Sequence, residues 1–304
     1  LVIRLFDPVG NITSYTLLKK GKCQTIIPPT TKYIQTLRYN ESYDRFFWVE
    51  EDYNMPPCLV YKSMDEQEKI LYQSNKGDTD VLSLRQEIIS YTAGAGILLK
   101  GILYYPLSYT PGARYPMVVH IYEKQSQLAN RYPFPSYYEG IGFNIRLLIE
   151  GGYFVFLPDI LIQGIKGPGV DALESVESAL DAVSGNGSID INKIGLIGHS
   201  FGAYETDFIA THSKRFAAYV SGAGQSDLVW AYQSFNYNFK WPDYLRIEDN
   251  QHKMGVSFSG NKQLYFLNNP LYYVEQVNAP VLLWSGLNDQ NVTSDHTMAF
   301  YNAL

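Results

Sequence analysis

Charge is what this chain has least of. Charged residues fill 18% of its 304 positions, the formal net charge is −6, and no cluster of Lys and Arg occurs. The counterion-release attraction that drives nucleic-acid binding is therefore missing, which excludes a nucleic-acid partner. Long apolar runs are missing too. Although 46% of the residues are hydrophobic, no stretch reaches the ~20 residues that a membrane span requires. Cysteine is scarce: Cys23 and Cys58 either pair across a loop in an oxidising compartment or remain two isolated thiols in a reducing one. At Leu1 there is neither an initiator Met nor a charged-then-apolar leader, as expected of a processed chain or an excised piece. Asn11, Asn40, Asn186 and Asn291 each begin an Asn-x-Ser/Thr triplet, which matters only where a host glycosylates secreted proteins.

What is present falls into two grammars. The length suggests one large domain plus part of another. Over 1–84, short aromatic and β-branched runs (SYTLLKK, YIQTLRY, RFFWVEED, CLVYKS, KILYQS) alternate with turn clusters (DPVGN, YNES, NMPP, NKGD). Runs at this spacing predict meander strands. Tyr and Phe recur at strand centres as in propeller blades, whose four-stranded unit takes ~40 to 45 residues. About two blades fit here, and since a ring needs at least four, the expectation is the C-terminal part of a β-propeller-like domain, with an independent meander as the alternative.

From 85 to 304 the pattern changes. EIISYT and ILLKGILYYP predict a hairpin, after which apolar strands (YPMVVHIY, YFVFLPD, KIGLIG, FAAYVSG, PVLLWSG) alternate with helices near FNIRLLIEG, GVDALESVESALDAVSG and 201–212. That alternation predicts an α/β doubly wound, mostly parallel sheet, in which chemistry collects at the carboxyl ends of the strands. In the second helix Ala172, Val176, Ala179, Leu180 and Val183 recur at three- and four-residue steps, the mark of a packing helix.

The stretch IGLIGHSFGAYET at 194–206 places a G-x-S-x-G turn between a predicted strand and a predicted helix. Small residues at Gly198 and Gly202 let the backbone bend sharply and present Ser200, the candidate nucleophile. The Phe201 N–H, first in the helix, is the natural oxyanion donor. His199 is badly placed to be the base, because consecutive side chains at a tight turn diverge. The acid follows the nucleophile in this fold, at the end of a later strand, and VLLWSGLNDQNV supplies Asp289. Of five histidines only His296 follows Asp289, within a helical segment, where a partly exposed structural role is expected rather than that of the base.

Together GHSFGAYET, YPMVVHIY, FLPDI with KGPG, and LLWSGLNDQNV resemble the prolyl oligopeptidase family of serine peptidases, in particular its dipeptidyl peptidase IV-like and bacterial branches. The resemblance implies an α/β-hydrolase domain roofed by a propeller, acting on short peptides by acyl transfer through a Ser, Asp, His triad, without cofactor or metal. It implies Tyr122 as the second oxyanion donor, Asn291 as the side chain holding a substrate backbone carbonyl, and Val292 as a wall of the pocket for the residue before the cut. Trp230, Tyr232, Phe235 and Tyr237 fall where the family builds the rest of that pocket, or equally in a lid core. Ala203 replaces a glycine common among relatives, a change expected to be tolerated. The family histidine falls beyond Leu304, so the sequence reads as a member cut short at both ends, expected to label poorly with fluorophosphonate. A carboxylesterase and a binding homologue without catalysis are the competing readings. A peptide is the expected partner, oligomerisation stays open, and a periplasmic or otherwise exported location is expected.

Overall fold

A computed structural model describes residues 1–94, 96–138 and 142–304. These divide into two compact units, Leu1–Arg85 with Gln127–Pro135, and Gln86–Ser126 with Ser136–Leu304. Sequence reading leaves Gln127–Pro135 inside the second region, but it packs with the first, where Arg131 donates to Glu51 Oε1 at 3.1 Å and its guanidinium covers the Tyr33 ring.

The first unit is all β. Strands β1 (Val2–Asp7), β2 (Ile12–Lys19) and β3 (Lys22–Thr30) form one antiparallel sheet; β4 (Tyr33–Tyr39), β5 (Arg45–Asp52), β6 (Met55–Ser63) and β7 (Lys69–Gln73) form another. In β2 and β5 alternate residues are buried, the period of a half-buried strand, and Leu17, Ile26, Phe46 and Trp48 make the core. Two segments differ from the pattern expected of their sequence. β3 forms through Pro28 and Pro29, and Met55, Pro56 and Pro57, expected as turn, belong to β6, where irregular register beside Asp52 takes up the prolines. Cys23 is exposed and Cys58 buried, and both thiols are free.

The second unit opens with the hairpin β8 (Gln86–Ala93) and β9 (Ile97–Tyr104), followed by β10 (Tyr115–Ile121), α1 (Ile145–Glu150), β11 (Phe154–Pro158), α2 (Pro168–Ser184), β12 (Ile189–His199), α3 (Phe201–His212) and β13 (Ala218–Gly222). It continues through α4 (Leu228–Tyr232), the two-residue strands β14 (Phe235–Asn236) and β15 (Trp241–Pro242), α5 (Tyr244–Glu248), α6 (Lys262–Leu267), β16 (Val281–Trp284) and α7 (Ser294–Ala303). The seven-stranded sheet runs β16-β13-β12-β10-β11-β9-β8, parallel from β16 to β11 and antiparallel thereafter. This is the α/β-hydrolase architecture. Val119, Ile121, Phe156 and Leu196 pack with Val176, Phe201 and Tyr204 of α2 and α3 in the main core. Side chains alternate across a strand, so His120 faces the other way and stacks on Phe143, just ahead of α1. A smaller core of Ala231, Ile247, Met254 and Tyr265 holds α4 to α6 together.

Candidate active site

The corner after β12 is fixed by sterics. Ser200 sits at φ 58, ψ −117, a conformation that costs a non-glycine residue of order 1–3 kcal/mol and persists only where its surroundings enforce it. Both glycines of the turn are obligatory by contact: a Cβ on Gly198 would lie 2.0 Å from the Gly202 carbonyl oxygen, and one on Gly202 would lie 2.3 Å from that of Ile121. Ala203 is fully buried against Gly224, whose own Cβ would stand 2.9 Å from that of Ala203, so the extra methyl uses space the facing glycine leaves.

Hydrogen bonds carry this corner along the carboxyl edge of the sheet. Ser200 N donates to Gly222 O at 2.7 Å, and Ala223 N donates to Trp284 O at 2.8 Å, linking β12, β13 and β16. Beyond β16 the Asp289 carboxylate closes its own loop by accepting from Asn291 N (2.8 Å) and Val292 N (3.1 Å) at Oδ1. Among the described residues Oδ2 takes no hydrogen bond. His199 stacks on Trp284, ring centroids 5.3 Å apart. Partial burial lowers its pKa and the Asp289 charge acts against that shift, which places Asp289 over the same edge as the serine corner.

The two groups expected as donors, Phe201 N–H and Tyr122 O–H, belong to residues whose rings touch beside the corner. Phe201 N–H opens α3, with no partner among the described residues, and the Tyr122 ring meets the Phe201 ring edge-on at 6.4 Å. Tyr122 Oη accepts from Gln251 Nε2 at 3.2 Å, which leaves its hydroxyl proton to donate elsewhere. The loop bearing Tyr122 is anchored by Asp159, the aspartate of FLPD. Its Oδ1 accepts from Gln125 N (2.6 Å) and Ser126 N (2.7 Å), and its Oδ2 from Ser126 Oγ (2.7 Å).

No imidazole is hydrogen-bonded to Ser200 among the described residues. His120 bonds Gln125 through Nδ1 at 3.0 Å, and burial pulls its pKa down to about 4. His212 stacks on Phe208, and His252 is enclosed by Phe201 and Tyr204, with both ring nitrogens buried and unpartnered. Burial, then the Arg246 charge, pulls His252 down to about 3. His296, expected to be partly exposed, is instead 4% exposed: it lies on the inward face of α7 beside Trp230, its Nδ1 accepts from Asp227 N at 3.4 Å, and burial holds it near 4.

The expected pocket residues separate. Val292 is buried and Trp230 is 38% exposed. Tyr232 packs among Tyr244, Phe258 and Tyr265 and donates its hydroxyl to Glu248, so its ring belongs to the small core around α4 to α6. Asn291 meets two residues that sequence reading passes over, Asn236 and Arg246, and Arg246 in turn donates to a third, Asp243. Asp243 and Arg246 stand at the i,i+3 spacing of an ordinary solvated helix face, so nothing in the sequence marks them.

The chain belongs to the prolyl oligopeptidase family, whose model matches residues 144–304, more than half of the sequence. It is 27% identical to dipeptidyl peptidase 8 of Homo sapiens over 234 residues, 72% of this chain but 24% of that protein. It is 26% identical to dipeptidyl-peptidase 5 of Porphyromonas gingivalis over 180 residues, 53% of this chain and 24% of the relative. The chain thus spans about a quarter of the length of these relatives. The fold matches Porphyromonas gingivalis dipeptidyl peptidase 4 at TM-score 0.74 and 18% identity, covering 100% of this chain and 42% of the other. It matches Pyrococcus horikoshii acylaminoacyl peptidase at 0.72 and 18%, covering 97% and 47%. The order of an all-β unit before an α/β-hydrolase unit is that of the family.

Proposed function

We propose that this chain carries the nucleophile, acid and oxyanion donors of a serine peptidase acting on short peptides. The observation that carries the reading is the enforced corner at Ser200, because a strained residue at the carboxyl edge of a parallel sheet persists for presentation of its side chain. Ser200 Oγ attacks the peptide carbonyl carbon while an imidazole takes its proton. Phe201 N–H and Tyr122 O–H hold the oxyanion, and Asp289 orients and stabilises the imidazolium. The imidazolium then protonates the departing amine as the C–N bond breaks, and water repeats the sequence to free the acyl group. None of the five histidines described above is that base; we assign it to sequence outside these 304 residues. Asn291 would hold a backbone carbonyl of the substrate, and Val292 with Trp230 would bound the pocket for the residue before the cut, Tyr232 supporting it from behind.

The test is fluorophosphonate labelling and peptide-anilide hydrolysis by the complete protein, with Ser200→Ala beside it. The substitution is expected to remove labelling and lower turnover by at least ~10⁴-fold. A complete protein that hydrolyses anilides equally well without Ser200 would sink the reading, and one that turns over only simple esters would make it an esterase.

A further inference from the structure

Asn291 is held by more than its own loop. Arg246 Nη1 donates to Asn291 Oδ1 at 2.9 Å and Nη2 to Asn291 O at 3.4 Å, while Nη2 also donates to Asp243 Oδ2 at 2.6 Å. Asn236 Nδ2 donates to Asn291 Oδ1 (3.0 Å), Asn291 O (3.1 Å) and Asp243 Oδ1 (3.1 Å). Asp243 takes a further bond from Gln225 Nε2 at 3.2 Å. The Arg246 and Asp243 side chains are 9% and 4% exposed.

The chemistry of these partners decides which end of the carboxamide points where. A guanidinium only donates, so the Asn291 atom it meets is the oxygen. Asn236 reaches the same conclusion separately, because its own Oδ1 accepts from Phe239 N at 2.9 Å, which commits its other end to donating. The Asn291 NH₂ therefore faces away from the network, and no acceptor among the described residues takes its protons. A buried ion pair is weak evidence of stabilisation, since apolar groups of similar size often serve as well. Here it is kept although Arg246 Nε is buried without a partner, which points to positional use.

We propose that the Asp243–Arg246 pair, with Asn236, is a positioning device that locks the Asn291 carboxamide with its NH₂ outward, so that the site selects a chain offering a main-chain carbonyl acceptor at that point. The proposal rests on the assignment of Asn291 as a substrate contact. Arginine is required because one planar fork must meet Asp243 and Asn291 together, which a lysine ammonium cannot match.

The test compares kcat/KM for a dipeptidyl anilide with that for its analogue in which the carbonyl second from the cut is a methylene. It uses the complete protein, Asn291→Ala, Arg246→Lys, the pair-replacing Asp243→Asn/Arg246→Met, and Asn291→Ala/Arg246→Lys, with thermal midpoints recorded for each. We expect a preference of about tenfold for the carbonyl substrate, lost in Asn291→Ala, largely lost in both Arg246 variants, and no lower in the double variant with Asn291→Ala. Structures of the Arg246 variants are expected to show the Asn291 carboxamide rotated or in two orientations. Preference retained in both Arg246 variants, additive losses, or an unmoved carboxamide overturns the device while leaving Asn291 a contact. Preference retained in Asn291→Ala overturns the contact itself, and the device with it.

Discussion

The β unit and helix α3 of the α/β unit bury carboxylates by opposite means. In the β unit the charge is matched: Glu50 accepts from Lys32 Nζ (2.5 Å) and Trp48 Nε1 (2.9 Å), and Glu51 from Gln35 Nε2 (3.0 Å) and Arg131 Nε (3.1 Å). In the α/β unit, helix α3 buries Glu205 with neither oxygen partnered and Asp207 with Oδ1 unpartnered. Burial, then the Glu123 charge, holds Glu205 well above its ordinary range, and burial holds Asp207 at about 7 against the Ser221 hydroxyl, so neutralisation is by proton rather than by a cation. A sheet of strands that pair with their sequence neighbours brings side chains together in register, whereas the crossover helix behind the serine corner brings no hydrogen-bond partner to either Glu205 oxygen among the described residues. The helix that opens at the candidate site is thus the one that carries uncompensated buried carboxylates.

That contrast is sharpest at Tyr122. Tyr122→Phe in the complete protein is expected to lower peptide turnover by ~10² to 10³ without moving the thermal midpoint; unchanged turnover would remove Tyr122 from the mechanism. Next in size is Gly202→Ala, whose methyl meets a backbone carbonyl at 2.3 Å. It is expected to cost about 1–3 kcal/mol, read as a lowered denaturant midpoint, and a variant as stable as the parent would mean the corner is not enforced.

Asp207 gives the pH arm. Its folded pKa of about 7 lies above the ordinary 3.8, so between those values the folded state binds the extra proton. The stability this contributes is complete below about 3.8 and is lost as pH rises through 7, by up to ~1.4 kcal/mol per pH unit. Asp207→Asn should therefore gain on the parent steadily from pH 5 to pH 7 in denaturant titrations, and a constant difference across that range would contradict a protonated Asp207. His120, His252 and His296, depressed by burial, oppose it: their contribution is full above 6.5 and is lost as pH falls towards about 4 and 3. The smallest effect belongs to the β unit, where Gly77 has open space around its missing side chain. Gly77→Ala should change stability by less than ~0.5 kcal/mol, and a larger loss would show that this turn is as constrained as the corner at Ser200.

Reading from residues reached the parts whose signal is local. The strand over Tyr33–Tyr39, the strand over Arg45–Asp52 and the helix over Phe201–His212 follow from patterns of a few neighbouring residues. The reading failed where a local signal was overruled: Pro56 and Pro57 read as turn yet sit in β6 through irregular register, and His296, in a helical segment, read as partly exposed although α7 turns it inward. Asn236, Asp243 and Arg246 carried no signal at all, since their meaning lies in a partner, Asn291, 45 residues beyond Arg246.

The sequence by itself determined the alternation of strands and helices and the sharp corner at Ser200, because backbone sterics and apolar periodicity act between residues a few positions apart. Only the tertiary structure decided which way the Asn291 amide faces, which imidazoles are walled in, and which buried carboxylates find a cation. Those outcomes depend on solvent exclusion and on hydrogen-bond partners that chain crossovers bring together from distant positions, and neither quantity is written in any short stretch of residues.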